Sequence, residues 1–164
     1  MNKYIYPGSF DPITKGHEDI IKRVSKTFKN DKIIIVIANN RDKSHQFNIE
    51  QRYKMVQIAI KKLNLSNVEI ISFEGVVSNY INENNINGVI RGLRNGINLD
   101  YEKAIETFTS NSTDAETIYF SSSVEYSHIS SSQVRNFMKF GYSKKIKFLV
   151  SKQIFKYIKK SLKD

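Results

Sequence analysis

Lys32–Ala38 reads Lys-Ile-Ile-Ile-Val-Ile-Ala, a β-branched run with no polar alternation. A strand of that kind expects burial on both faces, the condition of an interior strand in a parallel sheet covered by helices. Further short apolar runs alternate with helix-period segments along the chain. Strands are predicted at Tyr4–Tyr6, Lys32–Ala38, Val68–Ser72, Asn87–Arg91 and Thr117–Ser121. Asn48 with Gln51 has the form of a capping box, opening a helix that carries Met55, Val56, Ile58, Ala59 and Leu63. Val76–Asn84, Leu99–Ser110, Ser130–Lys139 and Ser151–Leu162 are also predicted to be helical. The last of these follows one apolar stripe through Val150, Ile154, Phe155, Ile158 and Leu162.

Five strands alternating with helices are most economically an α/β fold. The expected form is a Rossmann-like doubly wound five-stranded parallel sheet, with helices on both faces and C-terminal helices appended. No repeat, linker or composition break divides the chain, so one domain over residues 1–164 is expected. Ligands of such sheets sit beyond the carboxyl ends of the strands. The segments there are Pro7–His17, Asn39–Phe47, Phe73–Val77, Gly92–Asn98 and Ser122–Ser132, and every distinctive motif falls in one of them.

The first is the most constrained. In Tyr6-Pro7-Gly8-Ser9-Phe10-Asp11-Pro12-Ile13-Thr14-Lys15-Gly16-His17, glycines allow close backbone approach and a histidine stands at a helix start. Free N–H groups and the positive dipole end make such a place suited to an anion. Arg91-Gly92-Leu93-Arg94 can present two guanidinium forks to phosphate oxygens. Ser130-Ser131-Ser132 exceeds what one helix cap needs, and with the free N–H groups there it forms a neutral anion cradle.

Composition narrows the chemistry. There is no cysteine, which removes disulfides, thiolate metal sites and cysteine nucleophiles. No HExxH motif, paired histidines at ligand spacing, acidic two-metal cluster or Walker lysine loop is present. No apolar run approaches the roughly 18 residues of a membrane span, and no signal peptide is visible, so a cytoplasmic location is expected. The net charge of +10 favours anionic partners. Much of the excess lies in the C-terminal lysines from Lys144 to Lys163, where a solvated helix face is the plain explanation.

The dodecapeptide resembles the T/HxGH signature of the nucleotidyltransferase superfamily. Its form GSFDPITKGH, with Thr14 in the first-histidine place, resembles the phosphopantetheine adenylyltransferase family. Ile90-Arg91-Gly92-Leu93-Arg94 is similar to that family's IRGLR, Ile129–Arg135 to its ISSSxVR, and Asn40–Phe47 to its NPxKxPLF, with Lys43 and Phe47 in register. Arg41, His45, Gln46, Tyr126, His128, Phe108 and Thr109 depart from the family pattern.

The resemblance implies adenylyl transfer from ATP to 4′-phosphopantetheine, giving dephospho-coenzyme A and pyrophosphate without a covalent intermediate. It implies catalytic roles for His17, Lys43 and Arg91. It implies ATP contacts from Ser9, Phe10, His17, Gly92, Leu93, Arg94, Glu102, Tyr126, Ser127, His128, Ile129, Ser130, Ser131 and Ser132. Acceptor contacts would come from Ser9, Lys43, Val77 and Arg91. It also implies Mg2+ held mainly by the ATP phosphates, no protein metal ligands and a homohexamer, with neither nucleic acid nor membrane as partner. Two readings compete: a related transferase acting on nicotinate mononucleotide or glycerol phosphate, and a basic RNA-binding module.

Overall fold

The computed structural model describes residues 1–39, 44–94, 100, 103–104, 106–107 and 111–162. Five parallel strands form one sheet in the order β3-β2-β1-β4-β5. They are β1 (Lys3–Gly8), β2 (Lys32–Ala38), β3 (Val68–Phe73), β4 (Gly88–Leu93) and β5 (Glu116–Ser121). The helices are α1 (Lys15–Thr27), α2 (Ile49–Leu63), α3 (Val77–Asn84), α4 (Ser131–Lys139), α5 (Ser143–Leu149) and α6 (Lys152–Ser161).

The β2 run is buried from Ile33 to Ile37, as its composition demands. Its side chains divide by alternation. Ile33, Ile35 and Ile37 join Tyr6, Ile90 and residues of α1, α2 and α4–α6 in the larger core. Ile34 and Val36 join Ile5, Val89 and Ile81 of α3 on the other face. Helices therefore cover both faces. The Asn48 capping box is present, with Asn48 Oδ1 accepting from Gln51 N–H at 2.9 Å and Gln51 Oε1 accepting from Asn48 N–H at 3.0 Å.

The carboxyl ends of two strands beside the site differ from the sequence reading. β1 includes Pro7 and Gly8, which the sequence suggests belong to the loop. β4 continues past the expected end at Arg91 to Leu93, paired with Ser121, so Gly92 and Leu93 lie in the strand rather than after it. Two elements go unread in the sequence, α5 and a single 3-10 turn at Val124–Tyr126, both too short to show a period. The predicted Leu99–Ser110 helix lies mostly outside the described residues; of it, Asp100, Lys103, Ala104, Glu106 and Thr107 are helical.

The sheet opens where the strand order reverses. β1–β2, β2–β3 and β4–β5 each pair over six positions, but β1–β4 pairs only at Tyr4–Gly88 and Ile5–Val89. Lys32 N–H donates to Asn2 C=O on the β2 side and Asn87 N–H to Lys3 C=O on the β4 side. Alternation then turns Pro7 toward β4, where it has no N–H to give. The two strands part at that point, and a crevice forms between their carboxyl ends.

Candidate active site

That crevice widens into a cavity of about 640 Å³ lined by loops from all the carboxyl strand ends. Such a volume lies within the range for small-molecule sites, roughly 300–1,000 Å³. Its charged side chains are cationic: Arg91, Arg94 and Arg135 line it, no Asp or Glu does among the described residues, and His17 and His45 add imidazoles. Three helix N-termini also open onto it. Gly16 and His17 come from α1, Val76–Ser78 from α3, and Ser130–Ser132 from α4. Each brings unpaired N–H groups and the positive end of its dipole. The combination selects a polyanion.

His17 is the third residue of α1 and completes a capping box in the place usually held by Glu or Gln. Its Nδ1 accepts from Thr14 N–H at 3.1 Å, with Thr14 Oγ1 at 3.0 Å. A backbone N–H can only donate, so Nδ1 carries no proton and Nε2 does. Burial, reinforced by the positive charge of Arg94, lowers the imidazole pKa to about 3. The ring is a neutral N–H donor throughout the physiological range. Phe10 packs edge-on against it at 5.2 Å.

Alternation along β4 separates the two arginines. Val89 faces the α3 side and Ile90 the α1 side; Arg91 therefore faces α3, whose Val77 also lines the cavity. Gly92 faces α1, where a Cβ would meet Ile20 Cδ1 at 2.5 Å. Arg94, past the strand end, donates from Nη1 to Ile129 C=O at 3.0 Å and so borders α4.

The serine triplet is more occupied than its sequence suggests. Ser130 caps α4, accepting from Gln133 N–H at 3.1 Å. Ser131 Oγ donates to Pro12 C=O at 2.8 Å, and Ser132 Oγ accepts from Arg135 Nη2 at 3.0 Å. What this end of α4 offers a ligand is chiefly the first backbone N–H groups.

Of the sequence-predicted residues, Ser9, His17, Val77, Arg91, Gly92, Arg94, Ile129, Ser130, Ser131 and Ser132 line the cavity. Phe10, Leu93, Tyr126, Ser127 and His128 do not. Phe10 is 1 % exposed in the core, with a left-handed backbone (φ 48°), and supports Gly8 and His17 from below. Phe73 packs on Tyr80 away from the cavity, in keeping with a core role. Gly16 has room for a side chain, since a Cβ would be 3.7 Å from Tyr126 O. Lys43 and Glu102 lie outside the described residues.

Several lining groups were not singled out from sequence. Gly75 turns the chain into α3 at φ +127°, which only glycine adopts without strain. His45 lies 3.7 Å from the Asp11 carboxylate, and Arg135 reaches Asp11 C=O at 2.7 Å. Arg135 belongs to the motif that flagged the serines and could have been read there.

Comparison with known proteins agrees with this geometry. Residues 5–137 match the cytidylyltransferase-like family. A phosphopantetheine adenylyltransferase of Clostridium tetani is 40 % identical over 142 residues, 86 % of each chain. One from Prochlorococcus marinus subsp. pastoris is 41 % identical over 140 residues, 85 % of this chain and 86 % of its own. The chain belongs to the phosphopantetheine adenylyltransferase family. It is a nucleotidyltransferase. A solved Plasmodium falciparum nicotinic acid mononucleotide adenylyltransferase complexed with NaAD shares the fold, with a TM-score of 0.66 at 21 % identity, covering 98 % of this chain and 95 % of that one. Among the described residues no helix is long and apolar enough to cross a membrane.

Proposed function

We propose that this protein transfers the adenylyl group of ATP to 4′-phosphopantetheine, giving dephospho-coenzyme A and pyrophosphate. The observation that carries the reading is the cavity at the sheet's reversal point, with three arginines, three helix N-termini and no described carboxylate. A triphosphate and a phosphate monoester brought together there need such neutralisation, and the names of the relatives supply the acceptor.

In the proposed reaction an oxygen of the phosphopantetheine phosphate attacks the α-phosphorus of ATP in line. The new O–P bond forms as the bond to the bridging oxygen breaks, and the electron pair leaves on pyrophosphate. The nucleophile is already ionised, so no general base is required. Alignment and charge neutralisation are what the protein supplies. His17 donates from Nε2 to the α-phosphoryl oxygens, and Ser9 sits between the reacting groups. Arg91, on the α3 side with Val77, holds the attacking phosphate together with Lys43. Arg94 and the N-terminus of α4 hold the leaving pyrophosphate.

No cluster of three or more metal-ligating side chains is found among the described residues. Mg2+ would come in on the ATP phosphates and water, where it would add neutralising charge. Assembly as a homohexamer and a cytoplasmic location complete the proposal; light scattering tests the first.

The direct test is pyrophosphate release with magnesium and ATP, with and without 4′-phosphopantetheine, beside wells holding nicotinate mononucleotide, or CTP with glycerol 3-phosphate. Release that depends on phosphopantetheine, with dephospho-coenzyme A identified by mass spectrometry, is expected. Release only with another pair reassigns the acceptor. Silence with every pair, from folded protein, overturns the transferase reaction.

A further inference from the structure

Two buried ionic side chains lie behind the cavity wall, and among the described residues their hydrogen bonds go to none of the side chains assigned to substrate. Asp11 is 2 % exposed and Arg52 is fully buried. Burying a charge costs several kcal/mol unless its hydrogen bonds are satisfied, so what these two hold deserves a physical reason. Asp11 Oδ1 accepts from Phe47 N–H at 2.8 Å and Oδ2 from Gln46 N–H at 2.9 Å. Arg52 donates from Nε to Phe47 C=O at 3.1 Å. The Phe47 backbone is thereby gripped at its N–H by the carboxylate and at its C=O by the guanidinium.

Arg52 reaches further. Its Nη1 donates to Ser9 C=O at 2.9 Å and to Ala38 C=O at 3.0 Å, and its Nη2 to Asn39 Oδ1 at 2.6 Å. One side chain from α2 therefore ties the end of β2, the start of the following loop, the end of that loop and the Ser9 backbone. Burial lowers the Arg52 pKa while the Asp11 charge opposes that change. The backbone C=O of Asp11 also receives Arg135 of α4, so the same residue links the β1 loop to the opposite wall.

We infer that Asp11 and Arg52 are positioning residues for the transfer reaction: as a two-sided clamp they fix the Ser9 loop relative to Ala38–Asn39 and Gln46–Phe47, and so the two sides of the cavity that must bring donor and acceptor into line. The inference rests on the proposed reaction for its consequence, and on the six side-chain hydrogen bonds of Asp11 and Arg52 for its geometry. It assigns Asp11 a reason to be a carboxylate: a single group must accept two consecutive N–H donors. It assigns Arg52 a reason to be arginine: its fork reaches four acceptors on three segments, which a lysine ammonium with three donors on one atom cannot do.

The test uses the full chain as Asp11→Asn and Arg52→Lys, which keep size and charge respectively, compared with Lys62→Met. The last breaks the 2.8 Å ion pair of Lys62 with Glu18, outside the cavity, and serves as a variant weakened in stability alone. Misplacement on the ångström scale costs up to about 10²-fold in rate. The expected result is a fall of roughly 10- to 100-fold in kcat/KM for Asp11→Asn and Arg52→Lys, measured well below their melting temperatures, with faster amide exchange at Gln46 and Phe47. Lys62→Met should melt earlier with kcat and KM kept. If the two clamp variants also merely melt earlier, with kinetic constants and exchange rates of the wild type, the inference is overturned. Should wild-type protein transfer to no acceptor, the proposed function fails separately. The clamp then stands or falls on the amide exchange and on ATP affinity by calorimetry, and wild-type values for both in the variants would reject it.

Discussion

Replacing His17 by Gln and by Ala separates its two jobs. The ring caps α1 through Nδ1 and points a proton on Nε2 toward the cavity. Gln at the third helical position is the ordinary capping-box partner, so His17→Gln keeps the bond from Thr14 N–H, whereas His17→Ala loses it at a cost of about 1 kcal/mol. Neither presents the imidazole donor. Loss of one such transition-state donor costs about 10²–10³ in turnover, or about 2.7–4 kcal/mol. Both variants should therefore fall by that factor in kcat, while only His17→Ala shows the lower urea midpoint. A His17→Gln enzyme within about threefold of wild type would refute the donor role. The pKa adds a second reading. With a folded value of about 3 against about 6.5 unfolded, the neutral ring contributes stability that is complete above about pH 6.5. That contribution is lost as pH falls toward 3, by at most about 1.4 kcal/mol per unit. Wild type should thus lose stability relative to His17→Gln on acidification through this window. The kcat/KM profile, which reports the free enzyme, should show no His17-dependent limb between pH 5 and 8. A limb near pH 6.5 that disappears in His17→Gln would contradict the lowered pKa.

Arg91→Ala should weaken phosphopantetheine binding far more than ATP binding by calorimetry, since Arg91 stands on the α3 side; equal losses would undo that division of labour. Ser131→Ala and Ser131→Pro distinguish hydroxyl from backbone. Both remove the bond to Pro12 C=O, but only proline removes the N–H at the first helical position, where the helix tolerates it and the extended Ser130 suits it. Pyrophosphate affinity should drop further in Ser131→Pro than in Ser131→Ala. Gly92→Ala should destabilise by about 1–3 kcal/mol through the 2.5 Å approach to Ile20 Cδ1, and adding Ile20→Val should recover part of that loss in urea titration.

Much of this was legible in the sequence because the physics is local. β2 declares itself through an unbroken β-branched run, and α2 through a capping pair followed by an apolar stripe. The cavity residues Arg91 and Arg94 stand at a strand end and Ser130–Ser132 at a helix start, places that any alternating α/β reading would single out. What escaped depends on contacts across the sequence. Asp11 finds its donors 35 and 36 residues away, and Arg52 reaches back 43 residues to Ser9. Only one hint of Arg52 exists in the sequence: it sits one turn before Met55 and Val56, a charge on the apolar face of its helix. The occupation of the Ser131 hydroxyl was hidden for the same reason, because its partner Pro12 lies 119 residues away; Ser132 meets Arg135 only three residues along its own helix.

The site follows from a failure of pairing as much as from its charged residues. Hydrogen-bonded strands leave no room between them, so a ligand can enter a parallel sheet only where two neighbours separate. Here β1 carries Pro7 toward β4, and the ladder has no donor at that step. Past it, β1 runs into the Ser9 loop and β4 into Arg94, with the cavity between. The helices following β1 and β3, and α4 after β5, start at the same edge, so their positive ends meet there without any dedicated packing. Arginine then adds full charge to a place the backbone has already made attractive to phosphate. A chain with the same arginines but an unbroken β1–β4 ladder would have the charge and no crevice to put it in.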